Sequence, residues 1–259
     1  MVDKKTGKLV GEPLKRGGSY CLFHTVIFCA TEVSVEDAIV VFLDLETTGL
    51  SIILDHIVEM GVVANTGEVF STVVKPPVLS LIPSVHGIED AELAKGPAFP
   101  DAFTRLVRFL DGLSENALSE DESSTDELAE VPRLKSSTPD VILVAHNGIR
   151  FDFPMLLSEC YRCNMPLDAM NNWKYADTIA VARVLDPIVF GGCMKLQCML
   201  HISAAHDLRA HRALDDAIAL QSVTTHLSDA LGVSILRLLE LFVVQLDAPT
   251  SLAQLSVVI

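Results

Sequence analysis

Asp44 and Glu46 break into an apolar run, VVFLDLETTGL at residues 40–50. If the run is a β-strand, residues two apart share a face, so both carboxylates meet at its C-terminal end. Such acids often end a strand by simply reaching water. Here the preceding VVFL marks a covered central strand, and in α/β sheets ligands bind beyond the C-terminal ends of such strands. Asp152 follows another apolar run and an Asn-Gly turn in VAHNGIRFDFPMLL, although two residues before Pro154 it also stands where a helix N-cap would. Asp216, in HRALDDAIAL, has Ala213 at i−3 and Ala217 beside it, small residues that would let this helix face approach a sheet closely. Its neighbour Asp215 is expected to pair with Arg212, one turn before it. His211, taken alone, reads as a helix-start residue. Carboxylates gathered at one point repel and are driven toward protonation unless cations lie between them.

The elements that must position these acids read as an α/β domain with a mixed central sheet and helices on both faces. Residues 37–50, 56–65 and 67–76 read as an antiparallel meander that turns at Asn65-Thr66-Gly67. A His-Gly turn and a short helix follow, then a longer amphipathic helix with Phe103, Leu106, Val107 and Leu110 on one face. DVILVAH at 140–146 is a fourth strand, and 151–163, 177–185 and 211–231 are helices. The segment VSILRLLELFVVQL at 233–246 is apolar on nearly every side, including Leu236, Leu239, Phe242 and Val243. It is expected to be a helix buried in the core or against another subunit. The organisation is then an N-terminal extension at 1–37, a main domain at 38–227 interrupted by an acidic insertion at about 114–139, and a C-terminal apolar helix and tail at 228–259.

The whole chain has 259 residues, half of them hydrophobic, enough for one sizeable domain or two small ones. A formal net charge of −15 excludes a protein that grips nucleic acid mainly through a broad basic surface. Cys160-x-x-Cys163 with Cys193 and Cys198 raises a four-thiolate zinc site. The second spacing is nonstandard and the first pair sits in an apolar helical pattern, so reduced, mostly buried thiols of an intracellular protein are the better reading. The first forty residues, basic and then apolar, imitate a signal or transit peptide. They also carry Asp3, Glu12 and His24 and fall short of the ~20 apolar residues of a membrane span, which favours a tail or an extra edge strand, with an organellar address left open beside the cytoplasm and nucleus.

Taken in order, D-x-E (Asp44, Glu46), the acid after AHN (Asp152) and H-x-A-x-x-D (His211, Ala213, Asp216) resemble the motifs of the DEDDh 3′-to-5′ exonucleases, of the DnaQ-like, ribonuclease-H-like superfamily. HGIED at 86–90 matches a turn that often follows the third strand there, and the match runs from about 38 to 225. VVFLDLETTGL, VAHNGIRFDFPMLLSE and DTIAVARVL are most similar to TREX-type and plant organellar exonucleases. The resemblance implies a ribonuclease-H-like fold and two Mg²⁺ or Mn²⁺ ions held by Asp44, Glu46, Asp152 and Asp216, with His211 as general base. It also implies release of nucleoside 5′-monophosphates from a 3′ end. Substrate contacts are implied at Thr48, Leu50, Ile88, Asn147, Arg150 and Phe151, with ordinary core burial the rival for Leu50 and Ile88. Asp177, before Thr178, is better read as a helix cap than as a fifth acid. TREX-type similarity favours single-stranded or 3′-terminal DNA over RNA, and a homodimer, with no membrane. The alternatives are an exoribonuclease of the same family and a catalytically inactive nuclease-fold interaction protein. A HAD-type phosphatase also places D-x-D-x-T after an apolar strand, but here Glu46 stands where its second aspartate would.

Overall fold

Apolar strands without alternation need cover on both faces, and three of them make the middle of the sheet. The computed structural model describes residues 28–30, 38–78, 87–121, 139–189, 193–200 and 211–246. His86, residues 122–138 of the acidic insertion, most of the N-terminal extension and the tail from 247 lie outside the described residues. Seven strands form one sheet: β1 (Phe28–Ala30), β2 (Ile39–Thr47), β3 (Ile57–Ala64), β4 (Val69–Val73), β5 (Val141–Ala145), β6 (Lys174–Asp177) and β7 (Val243–Leu246). Their order is β1-β7-β6-β5-β2-β3-β4. β2, β5 and β6 run parallel, while β2-β3-β4 is the expected antiparallel meander. Its turn passes through Gly67 at φ 106°, the left-handed side of backbone space that glycine enters without steric cost.

Eight helices flank the sheet among the described residues: α1 (Asp90–Leu93), α2 (Phe99–Asp121), α3 (Asp152–Arg162), α4 (Asp168–Asn172), α5 (Thr178–Val189), α6 (Leu196–Leu200), α7 (Ala213–Leu231) and α8 (Ile235–Leu239). The two-residue period of β2 sorts the core into layers. Val41, Leu43 and Leu45 pack with Phe103, Leu106 and Leu110 of α2 and with Phe153 and Leu156 of α3. Val40 and Phe42 pack on the other face with Leu220, Val223 and Leu227 of α7. Asp44 and Glu46 share the parity of Val40 and Phe42, so they emerge on the α7 face.

Three expectations need correction. The apolar segment 233–246 is not one helix: after α8 it passes through a 3₁₀ turn (Glu240–Phe242) and becomes β7, paired antiparallel with both β6 and β1. It looked apolar on every side because Leu239, Val243 and Leu246 bury different faces of two kinds of element within this chain's own core. The acidic insertion begins later than expected, since α2 continues to Asp121. Cys193 and Cys198 are joined by a disulfide instead of being reduced, which removes two ligands from any four-thiolate site; Cys160 and Cys163 are free thiols.

Gly61 sets how closely α7 can lie. It pairs with Asp44 across the sheet, and a Cβ at this position would stand 2.1 Å from the Leu214 nitrogen and 2.2 Å from the Ala213 carbonyl carbon. Because backbone cannot turn aside as a flexible side chain can, Gly61→Ala is expected to cost about 1–3 kcal/mol. Differential scanning calorimetry should show that loss as a fall of roughly 2–4 °C per kcal/mol. An unchanged midpoint would mean that α7 is free to shift.

Candidate active site

The C-terminal end of β2 carries Asp44 and Glu46, and a register shift between Glu46 and Thr47 ends the regular pairing with β3. Bulges of this kind re-aim side chains where pairing stops. Asp152, the first residue of α3, arrives from the end of β5 through the Asn147-Gly148 turn, and its carboxylate comes close enough to the β2 acids to raise Asp44 and to be raised by Glu46. Gly148 is needed here: a Cβ would meet that of Ala145 at 2.5 Å and the Phe153 ring at 2.9 Å. Asp216 lies in the first turn of α7 and accepts the His211 N–H at 3.0 Å. Ligand atoms of Glu46, His211 and Asp216 all lie within 4.8 Å of one another, a carboxylate–histidine group able to hold a metal ion. Asp216, not Asp215, is the buried member of its pair, and Arg212 engages Glu59 and Glu92 in place of the expected Asp215.

Electrostatics record this crowding. Burial pushes the Asp44 carboxyl well above the usual carboxylate range, and Asp152, Asp216, Glu46 and Glu59 add to the effect. Burial, then Asp216 and Glu59, raise Glu46 to about 7 against the opposing pull of Arg212. Asp152 is likewise raised to about 7, by burial first and by Asp177 and Glu46, while backbone hydrogen bonds oppose the rise. Asp216 is raised by burial, with the His211 N–H working the other way. The donor set is oxygen-rich and short of positive charge, which suits hard divalent cations.

The residues offered to substrate divide. Leu50 is 85% exposed and Leu54 78%, on the loop that leaves β2. The Thr48 hydroxyl is used within that loop, donating to Asp55 Oδ1 at 2.9 Å and accepting the His56 N–H at 3.0 Å. Asn147 takes φ 65°, Arg150 is exposed, and Phe151 is half-buried, all in the turn before α3. Ile88 is different: it is buried against Val58 and Leu93, in the core where the rival reading put it and not on a surface open to a base.

Sequence reasoning missed several residues that support the site. Asp177 does cap α5 through the Ile179 N–H at 2.9 Å, but it also accepts the N–H groups of Asn147 and Ile149, fixing the turn that delivers Asp152. Arg162, near the end of α3, donates to the carbonyls of Ile52, Ile53 and Asp55, and pairs with buried Glu159 at 2.9 Å. It holds the Leu50 loop from behind. Glu59 was legible as a lone acid in the apolar strand IVEMGVVA, the same signal that singled out Asp44.

With this geometry in view, comparison with known proteins is specific. Residues 41–117 match the family model RNase_T, described as exonuclease. The chain is 28% identical over 211 residues to "Exonuclease DPD1, chloroplastic/mitochondrial" of Arabidopsis thaliana, which covers 76% of this chain and 58% of that protein. It is 24% identical over 196 residues to "DNA polymerase III PolC-type" of Mycoplasma genitalium, covering 73% of this chain and 11% of the polymerase. This chain therefore spans little more than half of the first relative and a small part of the second. Among solved structures, E. coli exonuclease I in complex with a dT13 oligonucleotide superposes with a TM-score of 0.55 at 18% identity, covering 74% of this chain and 41% of that one. A full-length 3′-exonuclease superposes with a TM-score of 0.52 at 19% identity, covering 76% and 84%. At these identities the superpositions establish a shared fold.

Proposed function

We propose, for a chain that belongs to the DnaQ-like, ribonuclease-H-like exonuclease family, a DEDDh-type activity: hydrolysis of phosphodiester bonds from the 3′ end of single-stranded DNA. One observation carries this reading, the convergence of Asp44, Glu46, Asp152 and Asp216 beside His211 at the C-terminal end of β2. Those four carboxylates would hold two divalent cations, Mg²⁺ or Mn²⁺, which when bound supply the positive charge that a phosphodiester needs at its phosphorus and leaving oxygen. His211, exposed beside Asp216 and Glu46, would take the proton of the attacking water. Cleavage on the 3′-oxygen side of the phosphate leaves a nucleoside 5′-monophosphate and a new 3′-hydroxyl. Leu50, exposed on a braced loop, would meet the terminal nucleotide without reading its base, and Arg150 and Phe151, in the turn before α3, would contact the strand behind it. Similarity to TREX-type motifs and to a segment of DNA polymerases favours DNA.

The test is digestion of 5′-end-labelled single-stranded DNA and RNA of equal sequence, with Mg²⁺ and with EDTA. A ladder shortening from the 3′ end is expected with Mg²⁺ only, faster on DNA. Faster digestion of RNA would make the chain an exoribonuclease. Laddering that persists in EDTA would sink the metal reading, and phosphate release from small phosphomonoesters would point to a phosphatase.

A further inference from the structure

We propose that the Glu59–Arg212 pair is a positioning device that sets His211 and Asp216 against the β2 carboxylates, an inference that rests on the reading above. Glu59 is 2% exposed and stands directly across the sheet from Glu46. A carboxylate there would be a fifth negative charge in the cluster, and buried charge persists only when paired and hydrogen-bonded. Its partners all come from the start of α7. Arg212 donates Nε to both Glu59 oxygens at 3.1 Å and Nη2 to Oε1 at 2.7 Å, and the Ala213 N–H donates to Oε2 at 3.0 Å. Arg212 Nη2 also reaches Glu92 of α1 at 3.1 Å. With its oxygens bound in this way, Glu59 is a clamp and not a metal ligand.

The clamp acts where the backbone most needs it. Arg212 is the N-cap of α7 but offers its own helix no side-chain cap, so Glu59, from another strand, takes one of the N–H groups that the first turn leaves unpaired. A carboxylate is also the favoured charge at a helix N-terminus. Immediately before it, His211 is held at φ 72°, in the left-handed region that a residue with a Cβ occupies only when its surroundings insist. Residues 211–213 are thus pinned at successive points: the His211 N–H to Asp216, the Arg212 guanidinium to Glu59, and the Ala213 N–H to Glu59. Gly61, two residues along β3, allows the close approach. Only a planar guanidinium meets both carboxylate oxygens at once, so lysine would keep the charge and lose the geometry.

Arg212→Lys and Glu59→Gln in the full chain test this, with Gln221→Ala as a control that removes a different α7–β3 hydrogen bond, to the Ala64 carbonyl at 3.1 Å. The readouts are kcat and KM on single-stranded DNA, Mn²⁺ binding by isothermal titration calorimetry, and the thermal midpoint. Both clamp variants are expected to lose about 10–100-fold in kcat, the range usual for residues that orient metal ligands, and to bind Mn²⁺ more weakly, with KM within roughly threefold. Gln221→Ala should keep kcat and Mn²⁺ affinity even if its midpoint falls as far. The proposal is overturned if Arg212→Lys and Glu59→Gln keep wild-type kcat and Mn²⁺ affinity while folded, or if Gln221→Ala loses as much. Should the wild-type chain cleave no nucleic acid, the proposed function fails alone: weaker Mn²⁺ binding in the clamp variants would still uphold the clamp, and unchanged binding would overturn it.

Discussion

Asp44→Asn is expected to lower turnover on single-stranded DNA on the order of 10³-fold while leaving the fold intact. Asp44 is the acid that feels all the others, with Asp152, Asp216, Glu46 and Glu59 each acting on it. Asparagine keeps its volume and one carbonyl oxygen but removes the negative charge that would bring cations to the centre of the group. Divalent cations contribute several kcal/mol to stabilising charge in phosphoryl chemistry, and about 4 kcal/mol corresponds to roughly 10³ in rate. The same crowding that raises the carboxyl's pKa makes its charge unfavourable in metal-free protein. The variant should therefore unfold at or above the wild-type temperature in EDTA at neutral pH, a trade of stability against activity. Single-turnover kinetics and calorimetry measure the two effects together. Activity within tenfold of wild type would remove Asp44 from the centre of the mechanism.

Metal is expected to stabilise the protein in a strongly pH-dependent way. Unfolded Asp and Glu titrate near ~4, whereas folded Glu46 and Asp152 are raised to about 7 and Asp44 and Asp216 are raised as well. Between those values the folded state binds more protons than the unfolded one, so these groups make stability fall as pH rises. Their contribution is complete below about pH 4 and is lost as pH passes through about 7 for Glu46 and Asp152. A divalent cation such as Mg²⁺ or Mn²⁺ held there would reverse the preference by favouring the ionised carboxylates, so its binding is expected to release protons and to strengthen with pH. A concentration of 100 times Kd would add about 2.7 kcal/mol, or roughly 5–10 °C for a chain of this size. Thermal scans with Mg²⁺ and with EDTA should therefore diverge at pH 8 and nearly coincide at pH 5. An equal shift at both pH values would mean that the ion binds elsewhere.

What could be read along the chain was local. The two-residue period of a strand was enough to put Asp44 and Glu46 on one face, whereas Asp216 rests on the H-x-A-x-x-D motif of the resembled family; of the two adjacent acids it is the buried one. The 3.6-residue period placed Phe103, Leu106 and Leu110 of α2 in the core. Where period failed, so did the reading: an apolar run without periodicity does not separate helix from strand. Only pairing with β6 and β1 makes Val243–Leu246 a strand. β6 was missed for a related reason, being four residues long and defined by its parallel partner β5.

By itself the sequence determined the residue types, their order and the face each takes on its own element, because backbone geometry repeats every two or 3.6 residues. Tertiary structure alone decided that Ile88 is core, that Glu59 meets Arg212 across 153 residues, and that Glu159 and Arg162 brace a loop more than 100 residues away. Pairings so distant in sequence leave no periodic trace along the chain, since they arise only when separate elements pack against one another.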